Sequence, residues 1–326
     1  MNVHALGCKM VVAVLLTLAS HAAAAQGYPS KPVKMIVPAS PGGVTDILAR
    51  TVGQRLSDAW GQPVVVENRP GGGQIIGAEV VAKSLGDGYT LIVSDASTFV
   101  INPSLYGKLP YDPLKDFTPV VVLSQASPVL AIGASVPASS LQELIALAKA
   151  KPGSLSYGSM GSGIYNHISM EQLKQLAGID IVHVPYKGST PALTDLLSGQ
   201  IAVFLVNLSV VEPHAKTGKL KILAAATAKR LALRPDLPTV SELGYPGFES
   251  GTWFGMLGPA NMPRDIVAKI HADVTRILGA PEFREQNITK LGLETVAISP
   301  DQFAQLIRAD LERWGKLVRA TGAKAD

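Results

Sequence analysis

From Val33 onward, short apolar runs alternate with amphipathic stretches, and that alternation leaves few folds open. Val33, Met35, Ile36 and Val37 make a run of strand length; Pro38 to Gly43 follow, and then Leu48, Val52, Leu56 and Ala59 recur at helical spacing. The unit repeats: strand 64–66 and a helix over about 74–83, strand 90–94, helix 141–150, strand 155–158 and helix 165–177. Strand 181–184, helix 191–198, strand 201–205, helix 211–217 and strand 221–225 continue it. Such repetition predicts an α/β chain of parallel, doubly wound sheets covered on both faces. A strand at 253–257 and helices over 264–278, 282–291 and 300–321 close the chain, with Phe303, Ile307, Leu311, Trp314 and Val318 on the buried face of the last.

With 326 residues the chain exceeds one ordinary core, so two domains are expected. Residues 26–124 and 255–326 make the first, and residues 125–254 the second, inserted. Extended segments at 121–127 and 251–254 form a two-strand hinge, and the Pro- and Gly-rich stretch 230–250 is an irregular crossing. The segment 102–117, with prolines at 103, 110 and 113, reads as a surface excursion. The cleft between two hinged α/β domains is the default ligand site.

A composition of 47% hydrophobic and 17% charged residues excludes a disordered chain. Lys and Arg are scattered, without a basic stripe interleaved with aromatics, which argues against nucleic acid as a partner. Met10 to Ala19 is apolar but too short to span a bilayer; Lys9 precedes it and Ala22 to Ala25 follow. Residues 1–25 therefore read as a signal peptide cleaved after Ala25. Cleavage removes Cys8, the only cysteine, and leaves a charge of +3 from the full chain's +4. The mature protein then has no disulfide and no thiol nucleophile.

Two loops carry the chemistry. Gly42 and Gly43, between the first strand and its helix, let the backbone approach a ligand with its N–H groups outward. The first four N–H groups of a helix lack internal partners and the helix dipole adds positive charge there, so Ala39, Ser40, Pro41, Gly42 and Gly43 form a candidate anion trap. Ser159, Gly161, Ser162, Gly163 and Ile164 repeat that arrangement before helix 165–177, adding hydroxyl donors. Either loop alone is more often a plain strand-to-helix connection than a ligand site. Two of them, each opening its own domain's helix, suit the two ends of a dicarboxylate or two sides of one carboxylate. Further candidates lie at strand exits: Ser94, Ser97 and Thr98; Tyr186 and Lys187; and Asn207, for which helix capping is the alternative. Asp46, in a first helical turn, reads as structural.

Enzyme signatures are missing. No G-x-S-x-G elbow, phosphate loop or correctly spaced dinucleotide motif occurs. The histidines show no metal-ligand spacing, and no carboxylate pair lies near the glycine loops. No cofactor or metal is expected. His167 reads as a packing or capping residue rather than a base.

The mature chain resembles the Bug family, the substrate-binding proteins of tripartite tricarboxylate transporters. The matching pieces run in order: Tyr28-Pro29-Ser30-Lys31-Pro32, Pro41-Gly42-Gly43-Val44-Thr45-Asp46, Val65-Val66-Glu67-Asn68-Arg69-Pro70-Gly71 and Asp87-Gly88-Tyr89-Thr90-Leu91. Ile101-Asn102-Pro103-Ser104-Leu105-Tyr106, Val182-His183-Val184-Pro185-Tyr186-Lys187-Gly188 and Trp253-Phe254-Gly255 complete them. The resemblance implies a type II periplasmic binding protein, a monomer whose two domains close over a small carboxylate and deliver it to membrane subunits, with no chemistry. It also implies that both glycine loops hold the acid through N–H groups, hydroxyls and water. Three positions depart from the family pattern: Ala39 stands where an aromatic is usual, Ile164 where Thr is usual, and Val206 where Asp often precedes the Asn. They favour an aromatic or aliphatic mono- or dicarboxylate over citrate or an amino acid. A sensory binding protein, or an enzyme on the same scaffold, is the alternative.

Overall fold

The computed structural model describes residues 27–322; the expected signal peptide lies outside them. The first sheet holds β1 (Val33–Val37), β2 (Val64–Asn68), β3 (Thr90–Asp95), β4 (Phe117–Ala126), β10 (Trp253–Pro259) and β11 (Leu293–Glu294), in the order β11-β4-β10-β3-β1-β2. The second holds β5 (Pro128–Gly133), β6 (Ser156–Ser159), β7 (Val182–Pro185), β8 (Val203–Asn207) and β9 (Leu220–Ala225), in the order β7-β6-β8-β5-β9. Helices α1 (Val44–Trp60), α2 (Ile75–Ala82), α3 (Ser97–Val100), α4 (Asn102–Leu105), α5 (Leu141–Ala150) and α6 (Tyr165–Ala177) intervene. They are followed by α7 (Ser189–Ser198), α8 (Leu208–Lys216), α9 (Arg264–Gly279), α10 (Pro281–Asn287) and α11 (Pro300–Thr321). Among the described residues no helix is long and apolar enough to cross a membrane.

The alternation predicts parallel sheets; both are mixed. β1 pairs in parallel with β2 and β3, and β6 with β7 and β8, but β10 runs against β3 and β4, and β5 against β8 and β9. The cause is the crossing. β4 leaves the first sheet at its carboxyl edge, Ala126, and β5 begins at the carboxyl edge of the second, where Pro128 pairs with Asn207. A strand that starts at that edge must run back against its neighbours. β10 enters the first sheet the same way, Trp253 beside Gln125 and Phe254 beside Asp95. The carboxyl edges of both sheets therefore face the same crossing. Apart from β11, the two orders match strand for strand, with β1 equivalent to β6 and β3 to β8.

One core cluster covers the outer face of the first sheet against α1 and α9, with Met35, Leu48, Val52, Leu56, Ile270 and Val274. Another lies under α7 and α8 of the second, with Leu196, Phe204 and Val211. The third is shared: Phe99, Trp253, Phe303 and Trp314 join Tyr157, Tyr165 and Ile168 in one apolar body, so the two units are packed together. Three sequence expectations change here. Ala59 is exposed, because α1 turns it past the buried face of Leu48, Val52 and Leu56. On α11, Leu311 is half-buried and Asp310 is buried in its stead, accepting a hydrogen bond from Trp253 Nε1 at 2.9 Å. Residues 102–117 are not a plain surface excursion: Asn102, Tyr111 and Phe117 are buried, and Tyr111 donates its hydroxyl to the Thr98 carbonyl at 2.7 Å.

Candidate functional site

Ligands of open α/β sheets bind outside the carboxyl ends of the strands, where the strand order switches direction. In the first sheet that edge carries the loop 38–43 after β1 and the exit of β3; in the second it carries the loop 160–164 after β6 and Asn207 ending β8.

The first loop is built against Asn68 and Asp46. Asn68 Nδ2 donates to the Ala39 carbonyl at 3.0 Å and to Asp46 Oδ1 at 2.9 Å, while Arg50 donates to both Asp46 and the side-chain Oδ1 of Asn68. Asp46 Oδ2 accepts the Gly42 N–H at 2.9 Å, so this carboxylate already occupies one donor of the trap. Ser40, Pro41 and Gly42 are exposed, Ala39 and Gly43 half-buried, and no side chain caps α1 at Gly43. α2 comes close underneath: a Cβ on Gly77 would lie 2.9 Å from Pro38 Cα, so glycine there sets where the loop begins.

Burial by itself would raise the Asp46 pKa, but hydrogen bonds from Arg50, Gly42 and Asn68 outweigh it and hold the carboxyl below its ordinary 3.8. A carboxylate depressed in the folded state adds stability above its unfolded pKa and loses it as pH falls. Asp46→Asn is therefore expected to cost about 1.5–3 kcal/mol at pH 7, the range for hydrogen bonds to a charged group. That difference from the unsubstituted protein should shrink below about pH 4. Urea unfolding at several pH values measures it; a gap constant from pH 3 to 7 would contradict the assignment.

At the exit of β3, the organising residue is Gln74, which the sequence reading does not single out. It is the fourth of four consecutive residues at positive φ, at φ 76°, and it is buried. Its Nε2 donates to Asp95 Oδ2 at 2.5 Å, and its Oε1 accepts from Ser94 Oγ at 3.0 Å and from Thr98 Oγ1. Ser94 and Thr98 are fully buried, and their hydroxyls also bond each other at 2.7 Å. These two candidates thus support the loop from within the first unit. Ser97 differs: its N–H donates to Asp95 Oδ1 at 2.9 Å, while its Oγ accepts the Tyr165 N–H of the second unit at 3.3 Å.

In the second loop, Ser159 is fully buried; its Oγ lies 2.7 Å from His183 Nε2 and 3.2 Å from the Gly161 N–H, which donates to it. The expected free hydroxyl donor is thus engaged. Met160 N–H donates to Asn166 Oδ1 at 3.4 Å and Gly163 N–H to His167 Nδ1 at 3.0 Å. His167 is a capping residue for the loop, as its position one turn into the helix suggests. It stacks on His183 at 4.0 Å and 7°, and His183 stacks in turn on Tyr157. Ser162 and Ile164 are half-buried beside these bonds. Gly163 has φ +82°, and a Cβ there would lie 2.0 Å from Leu105 Cδ2 of the first unit.

Tyr186 donates its hydroxyl to Asp195 Oδ2 at 2.6 Å, and burial with that carboxylate pushes its pKa up to about 12; its N–H donates to the Ser159 carbonyl at 3.0 Å. Lys187 is exposed. Asn207 sits at the N-cap position of α8 yet makes no capping bond, and its buried Oδ1 has no hydrogen-bond partner. Capping therefore does not explain it.

Among the described residues, bonds that join the two units at this edge include Tyr165 N–H to Ser97 Oγ and Ser127 Oγ to Glu294 Oε1 at 3.2 Å, with Leu105 against Gly163; the Gly42–Gly43 loop is held by Asp46 and Asn68 of its own unit. The second loop's N–H groups at 160, 161 and 163 are held by neutral acceptors at 3.0–3.4 Å. A carboxylate accepts about twice as strongly as a neutral group, so an arriving acid can displace such partners. Among the described residues no group of three or more His, Cys, Asp or Glu side chains could hold a metal ion.

The profile of the family described as "Tripartite tricarboxylate transporter family receptor" matches residues 48–323. Protein BugT of Bordetella pertussis (strain Tohama I) is 37% identical over 317 residues, covering 96% of this chain and 97% of its own. Among solved structures, Rpa4515 of R. palustris with adipate superposes with a TM-score of 0.86 at 35% identity, over 92% of this chain and all of the other. MatC (Rpa3494) from Rhodopseudomonas palustris with bound malate gives 0.81 at 33% identity, over 89% of this chain and all of the other. Both similarities run through the two sheets and the crossing between them, so the protein has the two-domain periplasmic binding protein fold and belongs to the tripartite tricarboxylate transporter receptor family.

Proposed function

We propose that the protein is a periplasmic solute receptor that binds a small aliphatic or aromatic mono- or dicarboxylate between its two units and delivers it to the membrane subunits of its transporter. Residues 1–25 direct export and are removed. Residues 26–124 with 255–326 form one lobe and 125–254 the other; the extended segments 121–127 and 251–254 form the hinge between them, and the receptor works as a monomer. The observation that carries this reading is the shared carboxyl edge: equivalent glycine loops, after β1 and after β6, both open toward the crossing. The adipate and malate held by the two similar structures are acids of this class. Ala39 and Ile164 add carbon, not hydroxyl, to the two loops, which suits a ligand with an apolar middle. The reading includes no turnover: in the close Ser–His pair Ser159 and His183, the serine is fully buried and already bonded to Gly161.

Neutralising a carboxylate at a helix end contributes about 0.3–2 kcal/mol, whereas micromolar binding needs roughly 8 kcal/mol, so several contacts and closure must act together. A thermal-shift screen with adipate, malate and related acids tests this. An acid at about 100 times its dissociation constant stabilises by about 2.7 kcal/mol. A panel that leaves the melting temperature unmoved, or an acid consumed on incubation by NMR, would overturn the receptor reading.

A further inference from the structure

We infer that Ser97 acts across the cleft as the cap of α6, and that through α6 it positions the glycine loop of the opposite lobe. α6 begins at Tyr165, and the residue at its own N-cap, Ile164, has extended geometry (φ −75°, ψ 154°) and only carbon in its side chain. Ile164 itself makes no side-chain capping bond. Helix N-termini need an oxygen for their unpaired donors, and Ser is among the preferred residues to supply it. Here the oxygen comes from a residue 68 positions earlier, on the other lobe. Ser97 is 2% exposed and Tyr165 3%, so no water replaces the hydroxyl if it is lost.

Ser97 is itself held in place. Asp95 Oδ1 accepts its N–H, Gln74 Nε2 fixes the other carboxylate oxygen of Asp95, and the neighbouring Ala96 N–H donates to the Trp253 carbonyl at the crossing. On the far side, the side chains that hold the loop's N–H groups, Asn166 and His167, both belong to the first turn of α6. Fixing the head of α6 therefore fixes the acceptors of Met160 and Gly163, and Leu105 pressed on Gly163 completes the seat. The order of the second loop thus depends on the first lobe being in place. Ser97 is a positioning residue; it holds the loop rather than the acid.

Hydrogen–deuterium exchange on the ligand-free full chain tests the contact. In Ser97→Ala the amides at the start of α6 should exchange about fivefold faster, the ratio that loss of a cap worth about 1 kcal/mol gives. Ser97→Thr, which keeps the hydroxyl, should restore protection. Ser97→Cys keeps the volume with a weak acceptor and should behave as the alanine variant, which serves if the latter does not fold. Calorimetric titration with adipate or malate, whichever shifts the melting temperature of the unsubstituted protein, should show a matching loss of affinity in the alanine and cysteine variants and recovery in the threonine variant. Unchanged exchange at Tyr165 in both would overturn the inference, as would protection that threonine fails to restore. The consequence for affinity rests on the receptor reading, whereas the exchange result does not. Loss of protection with no acid bound by any variant would leave the cap standing and defeat the receptor reading instead.

Discussion

Replacing Gly163 with valine is expected to lower the melting temperature by roughly 5–15 °C, the shift that about 2–5 kcal/mol produces in a chain of this size. Two costs add. A residue other than glycine in the left-handed region loses about 1–2 kcal/mol, and Gly163 has φ +82°. The added Cβ also lies where Leu105 Cδ2 now rests, and forcing extra carbon into a packed contact costs about 1–3 kcal/mol. The second cost involves a partner on the opposite lobe, which gives the prediction a sharper form. Leu105→Ala should remove the clash but not the backbone strain, so the double substitution should fall short of the sum of the singles by about 0.5–3 kcal/mol. Additive melting shifts would mean that the two lobes do not meet at this point. Affinity for an acid should fall together with stability, because the same clash wedges the loop away from the first lobe.

The second large effect is expected at Trp253, where the chain re-enters the first sheet. Its ring stacks on Phe99 (6.0 Å, 15°), meets Phe303 edge-on (4.9 Å, 90°) and donates Nε1–H to Asp310 at 2.9 Å. Trp253→Ala should cost about 3–5 kcal/mol in chemical denaturation, the usual range for truncating a buried aromatic. Trp253→Phe keeps most of the apolar contact and loses the N–H donor, so about 1–3 kcal/mol is expected. Asp310 retains Arg313 as a partner at 3.1 Å, which keeps the phenylalanine variant from the full cost of an unpaired buried charge. Equal losses for the two variants would show that the hydrogen bond, not the ring, carries the contribution.

Much of this was legible in the sequence because the relevant signals are local. Helices 141–150, 165–177 and 300–321 have the limits their apolar spacing and flanking Gly, Ser and Pro predict. Strand direction was not legible: the apolar runs at 128–133 and 253–259 read the same either way, and only the place where the chain crosses makes them antiparallel. In the site, Asp46 as a structural carboxylate and His167 as a cap followed from position within a helical turn. Gln74 did not, because its partners Asp95 and Thr98 lie 21 and 24 residues away and nothing local marks a glutamine as buried. His183 was hidden for the same reason, and with it the fact that Ser159 spends its hydroxyl inside the protein.

The interleaving of the two sheets also bears on how the chain matures. β10 lies between β3 and β4, although it follows β4 by more than a hundred residues of sequence. Until that late segment arrives, β1, β2 and β3 can pair with one another, but β3 and β4 have no strand between them to join them. A chain made from its N-terminus onward cannot close the first sheet until β10 has emerged. The keystone of that sheet thus comes from the last third of the sequence, and the lobe begun first is finished late.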